Sequence, residues 1–282
     1  MITINYETNF GNCMFQYAFA RLHAEVNGFN LQSDFKYRNI LDTTDHRPGE
    51  NERNIGSTAT IHDIVYDSFR RDHGSNYMRL SPDMSYYING YFQDADLFNN
   101  NRDLVRSFFK TPEVLDVNTE DTFVTIRLGD FVKTGQDSEI IDYNWYISVL
   151  EQMPGKKFIQ VCDYKGTNPD YTAQFINTDH EKKYIDRIVS AVDGCEVSYM
   201  DPDTSKDFRK YFQYKNIVCS NSTFAWWGCF LSDAATNIIS FNKFGFKGLA
   251  EIVSHGPHVN NLRNIKNIAH IVDGGFCDVT KL

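Results

Sequence analysis

Between Phe123 and Phe241 the chain alternates short β-branched or apolar runs with stretches of helical spacing, and few folds accommodate that pattern. The runs are Phe123 to Arg127, Phe158 to Asp163, Glu196 to Met200, Asn216 to Ser220 and Ile238 to Phe241. Between them, helical patterns cover Tyr143 to Gln152, His180 to Ala191, Lys206 to Lys215 and Thr223 to Ala235. This alternation predicts a parallel sheet with helices on both faces. Ligands of such sheets bind beyond the carboxyl ends of the strands. The residues to examine are therefore Arg127 with Asp130, then Asp163, then Ser220 with Asn221.

The first half is less regular. Ile2 to Tyr6 reads as a strand, Thr8 to Cys13 as a turn, and Phe15, Ala18, Phe19, Leu22 and Val26 as one face of a helix stopped by Gly28. From Asn30 to Asp83 the charged and Asn-rich sequence reads as long loops with short elements. Tyr86 to Gln93 reads as a strand, and Asp94 as the cap of a helix carrying Leu97, Leu104, Val105 and Phe108. A turn-like stretch from Thr111 to Asp121 then separates two expected domains, 1–115 and 116–282.

Composition narrows the partners. The chain has 282 residues, enough for two modest domains, and is 41% hydrophobic. Its net charge of −9 argues against a nucleic acid or an anionic membrane as the main partner, so an anionic ligand needs a local basic residue. No apolar run reaches the roughly eighteen residues of a membrane span, and the N-terminus lacks the features of a signal peptide. A cytoplasmic protein without a membrane anchor is expected. The six cysteines show no zinc spacing and read as reduced, structural residues. Cys13, beside a helix start, is a weak candidate nucleophile without an identifiable base.

Three constellations carry chemistry. Val218 to Leu231, V-C-S-N-S-T-F-A-W-W-G-C-F-L, reads as a strand end, a polar turn and a helix capped by Ser222 or Thr223. A helix start with hydroxyls and an amide around it can hold a phosphate, and an ordinary capped core helix would look the same. In V-T-I-R-L-G-D-F-V, Arg127 leaves a buried strand, where its guanidinium can grip a phosphate or pair with Asp130. Asp130 can orient Arg127, bind a sugar hydroxyl or act as a base. In F-G-N-C-M-F-Q, Gly11 permits close backbone approach and Asn12 offers an amide to a sugar or phosphate; a tight turn with an Asn cap is the plainer alternative. The triplets Asp94 to Asp96 and Asp201 to Asp203 read as caps and turns, so no metal is expected. No G-x-S-x-G is present.

Taken in order, these segments resemble the α-1,2-fucosyltransferase family, inverting glycosyltransferases of the two-domain GT-B fold. F-G-N-C-M-F-Q-Y-A resembles that family's G-L-G-N-Q-M-F-Q-Y-A, and G-Y-F-Q-D-A-D-L-F its G-Y-F-Q-s-x-x-Y-F. T-I-R-L-G-D-F corresponds to H-x-R-R-x-D-Y, and S-N-S-T-F-A-W-W-G to S-N-S-S-F-S-W-W-A. The resemblance implies two Rossmann-like domains, with an acceptor-side domain first, a nucleotide-sugar-binding domain second and the donor site in the cleft between them. It implies a nucleotide diphosphate sugar as donor, GDP-fucose by family, and a glycan hydroxyl as acceptor, without a metal. Arg127 would hold the departing pyrophosphate, Ser220, Asn221, Ser222 and Thr223 would line the phosphates, and Gly11 and Asn12 would approach from the other domain. Thr125 stands where the family motif has histidine and Leu128 where it has a second arginine. Either departure could change the donor, for instance to UDP-xylose, or leave a binding protein without turnover.

Overall fold

The computed structural model describes residues 1–6, 9–44, 46, 57–73, 77–129, 140–162, 178–201, 203–241 and 268–272. The chain divides into two compact units, Met1–Thr111 and Pro112–Leu282, each built on a parallel sheet.

In the N-terminal unit, β1 (Ile2–Ile4) leads into α1 (Phe10–Asn27). The helix starts earlier than the glycine turn predicted: Gly11 and Asn12 lie in its first turn. From Cys13 to Ala24 every residue of α1 is buried, which blurs the one-sided periodicity of a surface helix. Gly28 ends it in the left-handed conformation, φ 67, and the cap N–H returns to the Ala24 carbonyl.

The segment expected to hold long loops with short elements, Asn30 to Asp83, contains β2 (Leu31–Gln32), β3 (Thr58–His62) and α2 (Asp63–His73). β3 is an edge strand paired with β4 (Ser85–Asn89), and its only fully buried side chain is Ile61. One buried residue leaves no alternation to read. Asp94 caps as expected, accepting from Leu97 N at 3.1 Å, but the helix is split into α3 (Ala95–Asn100) and α4 (Arg102–Arg106). Asn101 makes the break by donating its side-chain amide to the Leu97 carbonyl at 2.8 Å, an acceptor the helix would otherwise use. The sheet order is β2-β1-β4-β3, so the strand order reverses between β1 and β4.

The C-terminal unit follows the predicted alternation. β5 (Asn118–Arg127), α5 (Tyr143–Leu150), β6 (Lys157–Cys162), α6 (Thr178–Ala191) and β7 (Cys195–Tyr199) form one wing. α7 (Thr204–Lys210), β8 (Tyr214–Cys219), α8 (Thr223–Leu231), β9 (Asn237–Phe241) and β10 (Ile268–Val272) form the other. α7 is shorter than expected because Tyr214 already begins β8, and α8 stops at Leu231 because Ser232 is extended. Asp142 and Asp203 cap α5 and α7. Every strand pair is parallel and the order is β10-β9-β8-β5-β6-β7. Counted within the unit this is the Rossmann order 3-2-1-4-5-6, and its reversal falls between β5 and β8. The core packs Val124, Ile126, Leu128, Trp145, Val161, Tyr184 and Val218 together.

Candidate functional site

An open parallel sheet has a crevice where its strand order reverses, because the connections from the two flanking strands run to opposite sides. In the C-terminal unit that point is bounded by Arg127, the last residue of β5, and by Ser220–Ser222 beyond β8. Arg127 is half-buried and its Nη1 donates to Ser222 Oγ at 3.4 Å. Ser222 holds the N-cap place of α8 at φ −129, ψ 132, yet its hydroxyl makes no cap bond. The first N–H groups of α8 are thus left uncapped by Ser222. A guanidinium beside the positive end of a helix suits an anion, and a diphosphate above all, because its oxygens can meet both at once.

Thr125 pins this turn from behind. Ser220 N donates to Thr125 Oγ1 at 3.1 Å, and the two hydroxyl oxygens lie 3.3 Å apart. Tyr146 Oη in turn donates to the Thr125 carbonyl at 3.1 Å. Ser220, Asn221 and Ser222 are all buried, and Thr223 is half-buried. The helix behind them is immobilised by aromatic packing: Trp226 stacks on Phe230 with centroids 4.8 Å apart and meets Trp227 edge-on at 4.9 Å. Gly228 is required there, since a Cβ would stand 2.3 Å from Cγ of Tyr211. Burial pushes the Tyr211 phenol well above its ordinary range, so it stays neutral beneath the turn.

The corresponding place in the N-terminal unit lies between β1 and β4. Asn12, in the first turn of α1, accepts from Gln93 Nε2 at 3.0 Å through its Oδ1. Gln16, one turn on and buried, donates Nε2 to the Gly90 carbonyl at 2.8 Å, and its Oε1 accepts no hydrogen bond among the described residues. Gly11 is buried beside them.

The structure therefore brings Arg127, Ser220, Asn221, Ser222 and Thr223 together at one switch point and sets Gly11 and Asn12 at the other. Asp130 and Asp163 lie outside the described residues. Leu128 is wholly buried in the core, and Thr125 supports the polar turn. Three further polar residues, Gln16, Gln93 and Asp63, join this crevice or the turn beside it without a local signal in the sequence. Their partners are far along the chain, so no local pattern marks them. Cys13 is fully buried, with no surface through which a nucleophile could act. Among the described residues, no group of three or more His, Cys, Asp or Glu is placed to hold a metal ion, and no helix is long and apolar enough to cross a membrane.

Comparison with known proteins matches residues 1–245 to the family model described as Glycosyl transferase family 11. A curated relative, the O-antigen biosynthesis glycosyltransferase WbnK of Escherichia coli, is 24% identical over 198 residues. That alignment covers 61% of this chain and 59% of the relative, so the chain spans less than two thirds of the relative's length. No solved structure matches.

Proposed function

The chain belongs to glycosyl transferase family 11, and from that premise we propose that it is an inverting glycosyltransferase of glycan biosynthesis. The donor in this reading is a nucleotide diphosphate sugar, GDP-fucose in the first instance, and the acceptor is a glycan hydroxyl. The observation that carries the reading is Arg127 beside the start of α8, which the Ser222 side chain does not cap, at the β5/β8 switch point. The acceptor oxygen forms its bond to the anomeric carbon as the bond to the diphosphate breaks, and Arg127 meets the charge that develops on the leaving group. The acceptor proton passes to a carboxylate, for which Asp130 is the first residue to test. In this reading Ser222, Thr223 and the α8 amides hold the phosphates, no metal is required, and the reaction takes place in the cytoplasm. Asn12 offers its amide to a sugar or phosphate oxygen.

The test is release of nucleotide diphosphate from a nucleotide sugar in the presence of a glycan acceptor, compared between the parent chain and Arg127→Ala. Turnover in the parent that collapses in the variant supports the reading; equal turnover in both refutes the role of Arg127. One observation favours a second reading, a nucleotide- or glycan-binding protein without turnover. The two positions where the family motif has histidine and a second arginine are here committed to packing and to Ser220. Binding of a nucleotide with no turnover across GDP-, UDP- and dTDP-sugars would decide for it.

A further inference from the structure

The turn after β4 is held in a conformation that ordinary turn chemistry does not require. Phe92 has φ 50, the only positive φ at a non-glycine residue among the described residues, and Gly90 precedes it at φ 145. Such backbone strain persists only where the surroundings impose it. Here they do. The Asp63 carboxylate, at the start of α2, accepts from Tyr91 N at 2.8 Å and from Phe92 N at 2.9 Å. It lies so close that a Cβ on Gly90 would stand 2.3 Å from its Oδ1. The Phe92 ring is buried and stacked on Phe19, with centroids 4.0 Å apart. Gln16 fixes the Gly90 carbonyl, and Asp94 N donates to the Phe92 carbonyl at 2.8 Å. Five contacts thus fix a four-residue turn whose last residue, Gln93, reaches across the β1/β4 crevice to Asn12.

An amide has two ends. Gln93 Nε2 donates to Asn12 Oδ1, so the Asn12 oxygen is occupied and its Nδ2 group, which donates to nothing among the described residues, is the end left for a ligand. We infer that Gln93 is a positioning residue: held by the Asp63 turn, it sets the Asn12 amide with its donor end toward an oxygen of the sugar or phosphate. The inference rests on the proposed glycosyl transfer and adds to it the direction of the Asn12 amide. The strained turn is then the means by which β4 delivers Gln93 to α1.

The experiment is a double-mutant cycle on the full chain, read by kcat/KM for sugar transfer and by side-chain amide NMR. Gln93→Ala should lower kcat/KM by about tenfold to a hundredfold, the scale of a misplaced contact, while melting stays near that of the parent. Gln93→Glu, nearly isosteric, should lose at least as much, because a carboxylate accepts from Asn12 Nδ2 and turns the oxygen outward. Asn12→Asp keeps the acceptor for Gln93 but removes the outward donor, so it should retain the Gln93 amide resonance position and lose activity. In the Asn12→Ala background, Gln93→Ala should add less than about threefold. Fully additive losses, or a Gln93 amide resonance that Asn12→Ala leaves unmoved, overturn the positioning role while leaving the transfer reading in place. No transfer by the parent, with Arg127→Ala no different, overturns the transfer reading and with it the role of Asn12 toward a ligand.

Discussion

The two units place polar residues at the same topological position and equip it differently. At the β5/β8 switch point the wall is a guanidinium, hydroxyls and the positive end of α8, all backed by a neutral core. At the β1/β4 switch point the facing side chains are the amides of Asn12, Gln16 and Gln93, and the Asp63 carboxylate is spent on backbone N–H groups. A parallel sheet supplies the crevice; the residues at the strand ends choose its chemistry. The first crevice suits a diphosphate and the second a neutral, hydroxyl-rich partner or an oxygen that needs a single directed donor.

Substitutions and pH can break this division. The largest expected effect is that of Arg127→Ala, which should lower kcat/KM by about 10²–10³, the scale of losing one charge-stabilising donor, with an unchanged melting temperature. Arg127→Lys should fall between, since an ammonium keeps the charge but not the fork. Next comes acid. His23, fully buried in α1, has its pKa pushed down to about 4 by burial. Met78 N donates to its Nε2 at 3.3 Å, and its Nδ1 lies 2.9 Å from the Phe19 carbonyl, an arrangement that suits the neutral ring. Between pH 6.5 and about 4 the unfolded state binds a proton that the folded state refuses, so stability falls as pH falls through this window. The loss is on the order of 3 kcal/mol, and denaturant titrations of the parent and His23→Gln at pH 7 and pH 4.5 should show it reduced in the variant.

Gly228→Ala should cost about 1–3 kcal/mol by forcing a methyl into the Tyr211 ring. That ring is itself wedged against Phe123, Phe208 and Phe224 and has little room to yield. A chemical-denaturation midpoint measures the cost, and a neutral outcome would mean that the wall behind the charged crevice is softer than it looks. Smallest is Thr125→Val, which strands Ser220 N without its acceptor at about 1–2 kcal/mol. Thr125→Ser should recover most of that loss in the same assay.

The same contrast explains what could be read in advance. Interior strands β5 and β8 carry continuous buried runs such as Thr122–Ile126, so their strand ends, and with them Arg127 and Ser220–Thr223, stood out in the sequence. Edge strand β3 buries Ile61 alone and α2 follows it directly, so the sequence places short elements there without marking their bounds or singling out Asp63. The break at Asn101 depends on a side-chain bond that helical spacing does not report. Pairings across the sheets were out of reach for another reason: Asn12 meets Gln93 over 81 residues and Thr125 meets Ser220 over 95. Local pattern locates a strand end; only the fold says which distant side chain will meet it there.

Nucleotide binding tests the division of labour most directly. Thermal shift with GDP, UDP and dTDP, on the parent chain and on Arg127→Ala, needs neither acceptor nor turnover. A nucleotide at a hundredfold excess over its Kd should stabilise the native state by about 2.7 kcal/mol. The account predicts that GDP stabilises the parent most and that Arg127→Ala abolishes the shift. An equal shift in parent and variant, or none with any of the three nucleotides, would contradict it.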